Sequence, residues 1–375
     1  MRITATNGFT LASNNETPST YNTMDFEFAE DMSLVRGPHQ IGFGADFIRS
    51  YLNGTSGLNA SGPFTFNGQV TSNSSGVGLA DFLLGKPSAL TQATTTLAYD
   101  RMNYFGLYVQ DTWKLTPRFT VNYGVRWDPY LPLSTKYGWT PHFDPSLFPQ
   151  NTHSTVFVNA PSGLQFPGDS GYPGRGVAEQ RWDNLAPRVS VAWDVKGDGK
   201  TSVRAAYGRF FDLPAMNNYV GFGSTPPIGN TTTVNFPSSF ANPWTGIPGG
   251  NPYPLAVSAN SPFINFGTYE NFLLNPKTTY SQQWNVSIQR QLGQNWLVAA
   301  NYVGTAIVHL WGGNQANPGV YIQGSCVINN VTTNPCSTTA NVNFRRTLYL
   351  QNPAQGIYYG SVANWMMVEP ATITD

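Results

Sequence analysis

The chain has 375 residues, enough for two or three ordinary domains or one large β-domain. Its charged fraction of 11% beside 14% aromatics, with 37 Gly and 28 Pro, argues against a helical or coiled-coil protein and for strands joined by many turns. Twenty basic and 20 acidic residues cancel, so no basic surface is offered and no nucleic-acid partner is expected.

No stretch approaches the roughly 18 apolar residues of a transmembrane helix, and Met1–Gly8 lacks the apolar centre of a signal peptide. A β-barrel has no long apolar run to detect, so neither observation excludes one. The first strand pattern begins near Met24. There Phe26, Phe28, Met32 and Leu34 face Ile41, Phe43, Ala45 and Phe47 across the turn Arg36–His39. After a polar stretch, Phe105, Leu107, Val109, Trp113 and Leu115 lead through the Pro-containing turn Thr116–Arg118 into Phe119–Asp128. In that segment Phe119, Val121, Tyr123, Val125 and Trp127 share one face, and Thr120, Asn122, Gly124, Arg126 and Asp128 the other. This period of two is kept over about 9–11 residues, the span of a tilted strand crossing a bilayer.

A third hairpin joins Val189, Val191 and Trp193 to Val203, Ala205 and Tyr207 across Lys196–Lys200, where Gly197 and Gly199 can supply positive φ. A fourth joins Trp284, Val286 and Ile288 to Trp296, Val298, Ala300 and Tyr302 across Leu292–Asn295, and a ninth strand is expected around Ile357 to Val368. Between the hairpins lie long segments rich in Gly, Asn, Ser, Thr and Pro, at residues 52–89, 133–183 and 213–278.

Short turns alternating with long loops put all turns at one end of an antiparallel sheet and all loops at the other, the asymmetry of an outer-membrane barrel. Trp113, Trp193 and Trp296 lie near short turns, and Trp127 and Trp284 about a transmembrane span away, as two membrane girdles would require. Arg126, Arg188 and Arg204 fall opposite the large apolar residues, so Asn122, Arg126, Asp128, Arg188 and Arg204 are expected to face the lumen. Asp111 breaks the pattern by sharing the face of Val109 and Trp113, either near the periplasmic rim or after a bulge. The fold expected is all-β: an antiparallel up-and-down transmembrane β-barrel portion, about eight or nine strands of a larger barrel, with long extracellular loops and short periplasmic turns.

Little in the sequence points to chemistry. His39, His142, His153 and His309 are scattered, with no metal-ligand spacing. Asp194–Gly199 has the wrong register for a calcium loop. No nucleophile, base and acid set stands out, so neither enzymatic activity nor a cofactor is expected. Cys326 and Cys336 enclose a short polar stretch; in an exported protein the expectation is one disulfide, the alternative two free thiols.

Tyr104–Lys114 with Thr116–Trp127, Asn184–Arg188, Gly197–Gly208 and Gln283–Gln289 together resemble the barrel of TonB-dependent outer-membrane receptors, particularly the Oar-like group. The resemblance runs over residues 24 to 360. It implies a 22-stranded barrel closed by an N-terminal plug and energised by TonB from the periplasm of a Gram-negative cell. Residues 1–375 are then expected to be a partial barrel domain without its plug, in contact with outer-membrane lipid, and with TonB only through that missing plug. An unknown extracellular ligand, carbohydrate or peptide, would meet the loops, where Tyr137, Trp139, Tyr172, Tyr219, Phe222, Trp244 and Tyr253 either stack on it or pack the loops together. The rival readings are a self-contained eight-stranded barrel serving as adhesin or anchor, and a secreted β-rich carbohydrate-binding protein.

Overall fold

The computed structural model describes residues 2–12, 19–57, 59–69, 75–213, 216–247, 250–328, 331–338 and 341–368. Eight long strands form the main sheet: β1 (Thr20–Arg36), β2 (His39–Ser56), β3 (Thr96–Thr116), β4 (Phe119–Trp127), β5 (Leu185–Asp194), β6 (Thr201–Asp212), β7 (Thr279–Leu292) and β8 (Trp296–Val308). Each pairs antiparallel with the strand before it in sequence, so the sheet is an up-and-down wall with β1 and β8 at its edges. Among the described residues nothing joins β1 to β8, and the wall does not close into an eight-stranded barrel. No described helix is long and apolar enough to cross a membrane.

All four expected hairpins form. Three of their turns use glycines in the left-handed region: Gly37 has φ of 59°, Gly293 61°, and Gly197 and Gly199 73° and 70°. The third turn is also held by Asp194, whose two carboxylate oxygens accept from the Gly197 and Gly199 amides, each at 2.9 Å.

The ladder registers put the alternating residues into continuous rows. One row runs Leu34, Ile41, Asp111, Tyr123, Val189, Tyr207, Trp284 and Gly304. The adjoining rows on that face hold Met32, Phe43, Val109 and Val125 on one side, and Trp113, Val121, Val191, Ala205, Val286 and Tyr302 on the other. Phe28 at 71% and Trp296 at 75% exposure show how fully this face is presented. A soluble monomer seldom exposes a continuous apolar patch beyond a few hundred Å².

The hydrophobic core lies elsewhere. Of the buried apolar residues described, only Leu52, Ala98 and Ala186 belong to the wall; the rest come from the connections and terminal segments. One cluster gathers Phe143, Phe148, Phe166, Phe263, Tyr269 and Tyr359, a second Tyr130, Leu133, Tyr219, Phe222 and Phe272, a third Phe64, Phe66, Leu90, Val234 and Trp244. Each draws on more than one connection: Ala89–Ala93 pairs with Thr231–Asn235, and the Tyr359 hydroxyl donates to the Ser162 carbonyl at 2.6 Å. The loops therefore pack as small globular bodies at one end of the wall.

Two expectations shift. The first long loop begins later than residue 52 and ends later than 89, because β2 runs to Ser56 and β3 starts at Thr96. The end of β2 projects past the apolar band, where pairing needs no apolar alternation, and Ala89–Ala93 belongs to the loop body through its pairing with Thr231–Asn235. The ninth strand forms at Tyr359–Val368, but it pairs with Leu310–Gln315, just beyond β8, and with Gly267–Phe272, rather than with the eight-stranded wall. His309, with φ of 57°, separates β8 from Leu310–Gln315.

Candidate functional site

The polar face of the wall is built around β4. Asn122 lies between Thr112 and Ser190 in the ladder, accepting from the Thr112 hydroxyl at 2.7 Å and donating to that of Ser190 at 3.0 Å. Two rows on, Arg126 bridges three strands. Its Nε donates to Asp128 Oδ1 at 2.7 Å and its Nη2 to Asp46 Oδ2 at 2.5 Å and to the Tyr104 hydroxyl at 2.6 Å; that hydroxyl donates in turn to Asp128. Gly106 makes room for it: a Cβ there would collide with the guanidinium. Beside this network Tyr108 crosses Gly44 to donate to Asp31.

Arg188 shares this face and lies over the Phe210 ring, 4.6 Å from its centroid, while Arg204 is exposed farther along. Glycines 124 and 208 flatten the wall between these side chains, leaving an open hollow of about 550 Å³ lined by Tyr108, Gln110, Asn122, Arg126, Arg188 and Gln283. Hydrogen-bond donors and acceptors, with a few fixed charges, are what this surface offers to a polar partner.

The opposite face carries the tryptophans. Trp113 stacks on His39 at 5.2 Å beside the first turn, Trp193 pairs with Phe119 beside the second, and Trp296 begins β8. Trp127 ends β4, its indole N–H donating to the Trp182 carbonyl, and Trp284 lies over Gly304, where any Cβ would meet the ring. Asp111 stays on this face, as its parity requires. The ladder is in register through it, the only shift falling between Lys114 and Thr116, so no bulge turns it away. Its Oδ2 takes bonds from His39 Nδ1 at 2.6 Å and the Tyr123 hydroxyl at 3.0 Å, close to the turn.

In the loops, Tyr172, Tyr219, Phe222 and Trp244 are buried among other side chains. The Tyr172 hydroxyl bonds Thr140 and that of Tyr219 bonds Tyr130. Tyr253 is half-buried, bonded to Thr232, and Trp139 is half-buried. Tyr137 is 47% exposed and stacks on Trp139 at 4.7 Å. Cys326 and Cys336 form a disulfide, with Cα atoms 5.1 Å apart. His142 Nδ1 donates to the Phe272 carbonyl, and burial lowers its pKa. Burial raises that of Glu270.

Sequence reasoning missed Asp31, Asp46, Tyr104 and Tyr108 in the polar network; the parity of the two tyrosines, opposite Phe105 and Leu107, was the signal for them. It also missed Asp100, beyond the apolar band on β3. Burial pushes the Asp100 carboxyl up to about 7, against the opposing pull of Arg101. Among the described residues no cluster of His, Cys, Asp and Glu has the makings of a metal site.

A family model described as an outer membrane beta barrel domain matches residues 1–366. No curated protein matches the sequence. Among solved structures the chain is similar to the outer membrane transporter YddB from Escherichia coli, at 13% identity and TM-score 0.45, covering 93% of this chain and 29% of that one. It is also similar to a mutant of the ferric enterobactin receptor PfeA from Pseudomonas aeruginosa, at 10% identity and TM-score 0.41, covering 95% and 33%. A third is the siderophore receptor PirA from Acinetobacter baumannii, at 10% identity and TM-score 0.40, covering 98% and 35%. The chain thus spans about a third of the length of these proteins. Its place is the outer membrane, and it belongs to the outer membrane beta barrel domain family.

Proposed function

We propose that these residues form a central part of the barrel wall of a TonB-dependent receptor, whose intact form binds a ligand in its outer loops and takes it up with energy from TonB. The observation that carries this reading is the segregation of four tight turns at one end of the wall from large, folded connections at the other. In this reading Asn122, Arg126, Asp128, Arg188 and Arg204 line the lumen, where a plug would sit. Trp113, Trp193 and Trp296 mark the periplasmic interface, and Trp127 and Trp284 the outer one. The sequence resemblance in the hairpin phrases supports the same assignment. A ligand would meet the outer surface of the loop bodies, since Tyr172, Tyr219, Phe222 and Trp244 are committed to their interiors.

The test uses cells that make the intact protein and a panel of fluorescent oligosaccharides and short peptides, with and without TonB. The expected result is TonB-dependent accumulation of at least one probe. Equal accumulation in both strains would refute energised uptake. Labelling of cysteines placed at Asp198 and Ser239 checks the orientation: Ser239→Cys should react in intact cells, and Asp198→Cys only after the outer membrane is opened.

A further inference from the structure

Asp100 and Thr135 face each other where the loop end of β3 takes up the short strand Ser134–Thr135. Asp100 is only 3% exposed. Its Oδ2 and the Thr135 Oγ1 are both shut off from solvent, and neither has a hydrogen-bond partner. Buried polar atoms are nearly always bonded, so two orphans on facing residues call for a shared occupant. Both residues line a recess of about 20 Å³. That is space for one water or one hydroxyl group, and too little for an amino-acid side chain.

The same recess is walled by Tyr137 and Trp139. Their rings stack with an interplanar angle of 27°, and Tyr137 keeps nearly half its surface in solvent. Lys136 Nζ lies 5.1 Å from the Tyr137 centroid, and Tyr99 meets that ring edge-on, so the platform is held from two sides. An exposed tyrosine stacked on a half-buried tryptophan, next to a hydroxyl-sized recess that Asp100 and Thr135 also line, fits a ring that is apolar on its face and hydroxylated at its edge.

We propose that this is a saccharide subsite: a pyranose ring lies on the Tyr137–Trp139 pair, and one hydroxyl enters the recess to bond Asp100 Oδ2 and Thr135 Oγ1. A water holds the position when no sugar is bound. The proposal rests on the reading that the outer loops bind a ligand, and it names that ligand's class. A peptide could bring a serine or threonine hydroxyl to the recess but carries it on a flexible side chain apart from any stacking ring, whereas a pyranose holds its hydroxyls rigidly at the edge of the ring that stacks; two oxygens alone are a poor cage for a cation.

The intact protein, purified in detergent, is tested on an array of neutral oligosaccharides built from glucose, xylose, galactose, mannose and arabinose, beside the peptide panel. The expected result is binding of at least one oligosaccharide, weakened tenfold or more by Thr135→Val and by Tyr137→Ala. Thr135→Val keeps the shape and removes only the hydroxyl; an unchanged melting profile shows that each variant is folded. Absence of saccharide binding by the unaltered protein, or binding that both variants retain, overturns the proposal. TonB-dependent accumulation of peptides alone would overturn the subsite and spare the receptor reading. Saccharide binding sensitive to Thr135→Val without TonB-dependent accumulation would do the reverse.

Discussion

Replacing Arg126 by Met tests whether the polar face of the wall is held together by its charges. The guanidinium has 17% of its side-chain surface exposed, and its partners Asp46 and Asp128 have 26% and 11%. A hydrogen bond between charged groups contributes about 1.5–3 kcal/mol, and breaking a fully buried ion pair costs about 3–5 kcal/mol. Here partial exposure allows water to reach the stranded carboxylates, and the expected loss is at the lower end, about 2–3 kcal/mol. The measurement is unfolding of the intact protein in urea from lipid vesicles, followed by tryptophan fluorescence. Because the penalty comes from unpaired negative charge, Asp46→Asn and Asp128→Asn added to Arg126→Met should restore most of it. A loss below about 0.5 kcal/mol, or a triple variant no better than the single one, would refute the reasoning.

Three further outcomes follow from the same structure. Val125→Arg on the apolar face should cost about 2–4 kcal/mol in vesicles, and Gln110→Arg on the polar face less than about 0.5; equal costs would show that the faces are misassigned. Iodoacetamide should modify Cys326 and Cys336 only after reduction, and modification of both without reductant would exclude the disulfide. Asp100 has a folded pKa raised by burial from 3.8 to about 7, so the folded state holds a proton that the unfolded state releases. Stability contributed by that proton is present in acid and falls as pH rises from about 4 to 7, by a total of order 4 kcal/mol, then stays level. Asp100→Asn should remove this dependence, and parallel stability curves for the two proteins would contradict it.

The hairpins were legible because two local signals agree: a period of two that lasts a bilayer's thickness, and turn residues at its ends. The faces were legible for the same reason, since one slip of register would bring Arg126, Arg188 and Arg204 onto the apolar side. The signal stops where the bilayer does. Ser50–Ser56 and Thr96–Asn103 continue as strands in water, where neither face must be apolar, so the expected loop start at 52 fell inside β2 and the expected strand start at Phe105 fell inside β3. Contacts across the wall were illegible in a different way. Asp46 stands 80 residues from Arg126 and reaches it only through the register of β2, β3 and β4. Within the connections no periodicity exists to read, so nothing local shows that Trp244 turns inward to join Phe64 and Phe66.

The placement of the core bears on how the outer loops can work. A wall that presents one face to lipid and the other to a wet lumen buries little against itself, and the apolar side chains that would form a core in a soluble protein line the membrane instead. The connections have no such partner, and their aromatics can leave water only by meeting one another. They do so across loop boundaries, Phe64 with Phe240 and Phe143 with Tyr359, which fixes the loops relative to each other. A surface built this way has already lost most of its conformational freedom on folding, so a ligand that lands on it has less ordering to bear than one that must gather loose loops. If the loops bind a ligand as proposed, its specificity would depend on the few groups left facing outward or unsatisfied, of which Tyr137, Asp100 and Thr135 lie together.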